Sequence, residues 1–172
     1  MKKSLFLIIG LLGMILFANS TSTVLLAQKD PAERKARTYI ARARVYLGAG
    51  NNREAIAWLS SGNAATSGIK DAERKARTYI DVALAYLEVP DKRRATLSLS
   101  SGNAATSGIK DAYRAALTHI LLAFVYLKIP DKERATLSLS RANLAAPYIK
   151  DPSERASVRN RIDQVTKIIR GK

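Results

Sequence analysis

A 40-residue internal repeat is the feature of this sequence that most restricts the folds open to it. The segment SSGNAATSGIKDA begins at Ser60 and again at Ser100, and ERKARTYI begins at Glu33 and again at Glu73. The hexapeptide ATLSLS also occurs twice at the same offset of 40 residues. Such a period predicts a structure in which each unit buries its apolar side against its neighbours. The three units are assigned to residues 30–69, 70–109 and 110–150.

Each unit is predicted to contain two α-helices. The apolar residues of the first half of unit one recur at three- and four-residue steps, within an arc of about 120° on a helix. Asp30, Pro31 and Glu33 mark the start of that helix, because they supply an amide acceptor, a preset first residue and a carboxylate in the positive first turn. Turn formers are expected to end the first helix of each unit: Gly48 and Gly50, then Pro90, then Pro130.

The second half of each unit carries a mixed signal. The run LSLS from Leu97 to Ser100 alternates with period two, which would suit a strand. The equivalent run in unit one, from Ala55 to Leu59, does not alternate. Because copied units should share one structure, we predict a helix. We expect the small and polar residues from Ser100 to Gly108 to fray its end into a loop.

The first 27 residues are interpreted as a secretory signal peptide. Two lysines precede a charge-free stretch from Leu5 to Ala18, and the next charge is Lys29, an order typical of such leaders. Cleavage is expected after Ser20 or after Ala27. The alternative is an uncleaved anchor, because residues 5–27 are about long enough to span a bilayer. We therefore expect an exported protein of the bacterial periplasm or the extracellular space, held at the inner membrane if the leader remains.

Composition excludes several kinds of chemistry. The chain has no cysteine and one histidine, which rules out disulfides, thiolate zinc sites, thiol nucleophiles and histidine clusters. His119 occupies the place of Tyr39 and Tyr79 in the other units, which favours an aromatic position in the core or at the groove edge over a general base. The carboxylates at the helix starts fit a capping role, and no glycine-rich phosphate loop is present. We expect neither enzymatic activity nor a metal or organic cofactor.

Three sets of residues share one spacing of aromatic, small, tyrosine, turn former, alanine, large apolar and small residue. They are Tyr39, Ala43, Tyr46, Gly50, Ala55, Leu59 and Gly62; Tyr79, Ala83, Tyr86, Pro90, Ala95, Leu99 and Gly102; and His119, Ala123, Tyr126, Pro130, Ala135, Leu139 and Ala142. This spacing resembles the tetratricopeptide repeat over nearly all of residues 30–149. Ser67 and Ser107 depart from it, because the family's closing proline occurs only in unit three, as Pro147.

The period of 40 residues also departs from the usual tetratricopeptide period of about 34. It fits a longer loop between units, and it also fits other helical-hairpin repeats such as the Sel1-like and HEAT classes. The fold class expected is all-α: a solenoid of three helix-turn-helix units in residues 28–150, closed by a capping helix in residues 151–172.

The resemblance implies a concave groove lined by the first helix of each unit. The groove residues would be Arg37, Ile40, Arg44 and Leu47 in unit one, Arg77, Ile80, Leu84 and Leu87 in unit two, and Leu117, Ile120, Phe124 and Leu127 in unit three. Such a groove would be cationic at one end and apolar at the other, which suits an extended peptide with acidic and apolar portions. Alternatively, Leu117, Ile120 and Phe124 pack under the C-terminal helix. The asparagine clamp that part of the family uses for peptide C-termini has no counterpart in the first helices.

Positive charge supports a function of another class. Lysine and arginine number 29 against 14 acidic residues, a formal net charge of +15. Such a chain could bind anionic lipid headgroups, cell-wall polymers or nucleic acid, although export argues against nucleic acid, and basic residues also serve as ordinary solvated helix faces. The sequence thus predicts an exported scaffold that binds a protein or peptide. The alternative is a basic envelope protein that binds anionic lipids or wall polymers.

Overall fold

The computed structural model describes residues 30–171, and these form α-helices and short 3-10 turns without any strand. The helices are α1 (Pro31–Gly48), α2 (Asn52–Thr66), α3 (Ala72–Glu88), α4 (Lys92–Ala105), α5 (Ala112–Lys128), α6 (Lys132–Ala145) and α7 (Pro152–Arg170), with 3-10 turns at Thr106–Gly108 and Ala146–Tyr148. The all-α class is confirmed. The expected leader, residues 1–27, lies outside the described residues. Within residues 30–171, no helix combines the length and apolar character needed to cross a bilayer.

An aspartate or asparagine side chain caps the start of every helix from α1 to α7. At α1, Asp30 accepts hydrogen bonds from the backbone amides of Ala32 and Glu33, at 2.9 and 3.3 Å. These bonds satisfy amides that have no partner within the helix. The other caps are Asn51, Asp71, Asp91, Asp111, Asp131 and Asp151. Capping therefore accounts for six of the eight aspartates, as the sequence indicated.

The second helix of each unit is confirmed, including the alternating run in α4. The expected frayed loop is wrong: α4 continues to Ala105 and is followed by the 3-10 turn Thr106–Gly108, which ends three residues before the cap of α5, Asp111. Local hydrogen bonds explain the continuation, because the hydroxyls of Thr106 and Ser107 donate to carbonyls of the last helical turn. The extra length of the period is therefore helical and does not form a longer loop.

The helices pack in pairs, and each pair contacts the next. Within the described residues, α1 packs on α2, α3 on α4, and α5 on α6. The first helices α1, α3 and α5 also contact one another in that order, and each second helix contacts the first helix that follows it. Helix α7 contacts α5 and α6 in the same way. It therefore takes the place that the first helix of a fourth unit would occupy.

Small residues bring the two helices of a pair close together. A Cβ added to Gly102 would lie 3.2 Å from the carbonyl oxygen of Ala76 and 3.2 Å from the Cβ of Tyr79. These separations are tight, and Gly62 and Ala142 hold the same place in the other units. Large side chains such as Leu59, Leu99 and Ile80 fill the remaining space and are fully buried. The core thus lies between helices of a pair and between successive pairs.

Two glutamates join successive first helices through ion pairs. Glu33 is buried and accepts from Arg37 on its own helix at 2.9 Å and from Arg74 on α3 at 3.2 Å. Glu73 repeats this arrangement, with Arg77 at 2.8 Å and Arg114 on α5 at 3.0 Å. Each inter-unit contact joins residues 41 positions apart. We call these two contacts, Glu33–Arg74 and Glu73–Arg114, the rungs.

The Glu33→Ala substitution is expected to lower the free energy of unfolding by about 2 kcal/mol, because it removes the carboxylate that two arginines share in a buried position. Glu73→Ala should cost less, since the Glu73 side chain is more exposed. Urea unfolding followed by circular dichroism measures both values. An equal cost for the two substitutions, or none for Glu33, would contradict the role given to burial.

Candidate functional site

The exposed side of the first helices forms the candidate site, which we call the first-helix face. Its side chains come from successive turns of α1, α3 and α5, at positions that are equivalent in the repeat. They are Arg37 and Arg44 on α1, Arg77, Asp81 and Leu84 on α3, and Leu117, Leu121 and Phe124 on α5, all of them at least partly exposed. The equivalent positions on α7 are Ser157, Arg161 and Gln164, which extend the same surface.

Three of the nine site residues expected from the sequence are misplaced. Ile40, Ile80 and Ile120 are buried in the core and cannot contact a ligand. Their positions turn towards the second helix of the pair: the Cγ1 atoms of Ile40 and Ile80 lie 3.5 and 3.8 Å from where a Cβ on Gly62 or Gly102 would stand. The other six expected residues retain exposure. They are Arg37, Arg44, Arg77, Leu84, Leu117 and Phe124.

The expected cationic end of the surface is largely neutralised. Arg37 and Arg77 pair with glutamates one turn earlier on their own helices. Arg44 on α1 approaches Glu88 on α3, with 3.5 Å between Nε and Oε1. Because each arginine has a carboxylate partner, this end offers hydrogen-bond donors more than net charge.

Asp81 is the site residue that the sequence reasoning missed. It lies on α3 among Arg37, Arg44 and Arg77, and no hydrogen bond or ion pair within residues 30–171 holds its carboxylate. Burial raises the pKa of Asp81, and the three arginines only partly offset that effect. Units one and three have Ala41 and Leu121 at this position. The sequence does contain an indication of this site: Asp81 is an acidic residue in the middle of a helix, whereas the equivalent residues of the other two units are apolar.

The opposite end of the surface is apolar and is formed by α3 and α5, with α7 beside α5. Leu84, Leu117 and Leu121 are half-buried against the core. Phe124 is also half-buried, and the ammonium nitrogen of Lys128 lies 5.8 Å from its ring centre. Helix α7 buries Val158, Ile162 and Val165 and contacts α5 and α6, yet Leu117 and Phe124 retain exposure. Helix α7 therefore stands beside this apolar end and does not seal it.

His119 lies in the core, as its place in the repeat indicated. Its ring is buried, and its Nδ1 has no hydrogen-bond partner within residues 30–171. Burial, with a smaller contribution from the nearby charge of Arg141, lowers the pKa of His119 to about 4. In the described part of the chain, no three His, Cys, Asp or Glu side chains are grouped to hold a metal ion.

The Asp81→Asn substitution is expected to raise the free energy of unfolding at pH 7 by up to about 1 kcal/mol. The pKa of Asp81 is raised because burial disfavours its charged form in the folded chain relative to the unfolded chain. Asparagine carries no charge and avoids this cost. The advantage should shrink as pH falls, because both side chains are then neutral. Urea titrations at several pH values measure it, and a variant less stable than the parent at pH 7 would contradict this account.

The His119→Tyr substitution should make the protein less sensitive to acid. Between pH 6.5, the ordinary pKa of histidine, and about 4, the value for His119, the unfolded chain binds the proton that the folded chain rejects. The contribution of neutral His119 to the free energy of unfolding is therefore fully present above pH 6.5. It declines as pH falls, and about 3 kcal/mol is lost at pH 4. Urea unfolding of both chains across this range isolates the histidine, since their carboxylates are the same. Parallel pH profiles would contradict the prediction.

Comparison of the chain with protein-family models, with curated proteins and with solved structures finds no match. The similarity to tetratricopeptide repeats therefore depends on the spacing of residues in the three units. What the protein does must be inferred from the first-helix face and from the surfaces at the two ends of the helix array.

Proposed function

We propose that this protein is an exported, non-enzymatic scaffold of the tetratricopeptide-repeat type, whose units stack as a solenoid and bind an extended segment of another protein along the first-helix face. The main support is the order of contacts among α1, α3, α5 and α7. This order places one polar and one apolar surface region side by side. A segment of several residues could contact both regions at once.

The polar half of the surface matches the backbone of a peptide. Asp81 is partly exposed and lacks a hydrogen-bond donor among the described residues. An extended peptide carries an amide donor at every residue except proline. Such a peptide could therefore donate to Asp81 without requiring a strongly acidic sequence, unlike the cationic groove first expected.

The apolar half of the first-helix face can bury apolar side chains of the bound segment. Leu84, Leu121 and Phe124 are half-exposed and lie on adjacent helices. A large apolar side chain of the bound segment that is buried here contributes roughly 1.5–3 kcal/mol. Two such side chains and a few backbone hydrogen bonds would give the moderate affinity expected of a scaffold.

A second candidate function is binding of anionic lipid headgroups or cell-wall polymers. One specific observation favours it: α7 carries cations that make no ion pair within residues 30–171, namely Arg155, Arg159, Arg161, Lys167 and Arg170. Unpaired cations on one helix produce a positive potential that attracts polyanions. They also keep the last helix of the array soluble, which explains them equally well.

The peptide-binding proposal is tested with a random-peptide display library selected against the purified chain. We expect the enriched peptides to share apolar residues at fixed spacing. Their binding should fall at least about tenfold in the Leu84→Glu/Phe124→Glu variant, because a charge in each apolar contact costs at least about 1.4 kcal/mol in total. Fluorescence anisotropy with a labelled peptide measures the dissociation constants.

The matched control is Leu97→Glu/Leu137→Glu, which places the same charges on exposed leucines of α4 and α6. Both variants should keep the helical circular dichroism signal. Salt separates the two candidate functions, since polyanion binding weakens steeply between about 50 and 200 mM salt and apolar binding does not. If no peptide is enriched, or if the first-helix variant binds as well as the control, the peptide-binding proposal is wrong.

A further inference from the structure

The outward side of α1 is a second surface, which we call the N-terminal end face. It is a single helical stripe formed by Arg34, Thr38, Val45 and Ala49. In units two and three the same positions turn towards the preceding first helix. Val45 is 73% exposed, whereas its equivalents Ala85 and Val125 are 0% and 1% exposed. The end face is thus a stacking surface that nothing within residues 30–171 covers.

Arg34 lacks the ion-pair partner that both of its equivalents have. Its equivalents Arg74 and Arg114 each pair with a glutamate of the preceding first helix, through the rungs. Arg34 makes no ion pair within the described part of the chain. The repeat therefore shows which group belongs opposite Arg34: a carboxylate in the first turn of a helix packed against α1.

Tyr46 also lacks a partner that its equivalent in unit two has. The Tyr86 hydroxyl lies 3.2 Å from the hydroxyl of Ser60 on the preceding second helix, and in unit three Tyr126 lies close to the equivalent serine, Ser100. No second helix precedes α1 in the described residues to supply a hydroxyl for Tyr46. A partner protein with two helices could provide a carboxylate to Arg34 and a hydroxyl to Tyr46.

This chain cannot readily supply that partner itself. Residues 1–29 contain no aspartate or glutamate and therefore cannot complete a rung. At the other end of the array, Ser153 on α7 stands at the position of Glu33 and Glu73. The first-turn acid of α7, Glu154, stands one residue later, at the position of Arg34 itself. A second copy stacked end to end in register therefore places no carboxylate opposite Arg34. The two glutamates that form rungs are already engaged with two arginines each.

We infer that the N-terminal end face is a docking site for an acidic α-helical hairpin of another protein. The first helix of that hairpin places a carboxylate opposite Arg34 and covers Val45 with small apolar side chains. Its second helix presents a hydroxyl to Tyr46. Lys35 and Arg42 also lie on α1, over the rings of Tyr39 and Trp58, and make no ion pair within residues 30–171. Because neither charge has a carboxylate partner there, the two residues favour a partner of net negative charge. This site is separate from the first-helix face and does not depend on the function proposed there.

The pairing expected at Arg34 is tested with an additional repeat unit fused to the N-terminal side of the array. A further copy of residues 70–109 is inserted in the full chain directly before Asp30, in phase with the repeat, so that the copied Glu73 lies opposite Arg34. We expect helical signal in proportion to the added residues and one cooperative unfolding transition. Replacing the copied Glu73 by Gln, or Arg34 by Ala, should lower stability, and the double variant should lose no more than either single one.

Arg93→Ala, at an exposed arginine of α4, is the matched control and should show no coupling to the copied Glu73. If the added unit stays unfolded, or if Arg34 and the copied Glu73 act independently, the assignment of the face is overturned.

The occupant is tested by placing a photo-crosslinking amino acid at position 45 of the full chain in its native host. We expect an adduct with a different protein, attached within a helix that has Asp or Glu in its first turn. The adduct should disappear with Arg34→Ala and persist with Arg93→Ala. An adduct with a second copy of this chain, an adduct insensitive to Arg34, or none at all would overturn the proposal.

Discussion

Burial of each helical pair against the next is the constraint on which the rest of this structure depends. A pair such as α3 and α4 has small residues at its internal contact, and it still exposes one flank of its first helix. Val82 and Ala85 on that flank are fully buried only because α1 and α2 lie against them. The first-helix face then arises as the side of the array that this stacking leaves open.

Ion pairs join successive first helices, and they also change the chemistry of the surface. Glu33 is shared between Arg37 and Arg74, so it connects two helices and at the same time neutralises an arginine of the candidate site. One carboxylate therefore affects both the packing of the helices and the charge of the candidate site. The polar end of the first-helix face is consequently better suited to a peptide backbone than to an acidic peptide.

The sequence predicted the elements well because their determinants are local. Capping by Asp30, the end of the first helix before Pro90 and the helical state of the second half follow from neighbouring residues and from comparison of copies. Side-chain direction was harder to predict. Ile40 differs from Arg37 by less than one helical turn, yet it faces α2, and only the angle between packed helices decides this. The ion pairs joining α1 to α3 depend on their relative displacement, which no local pattern encodes.

The spacing of the rungs has a consequence for the gene as well as for the protein. Every rung joins residues 41 positions apart, one more than the period, and identical segments recur at the period itself. Unequal recombination between such segments removes or adds a whole unit and leaves the remaining arginines opposite glutamates. The length of the array can therefore change during evolution without redesign of its interior, while α1 and α7 remain as fixed ends.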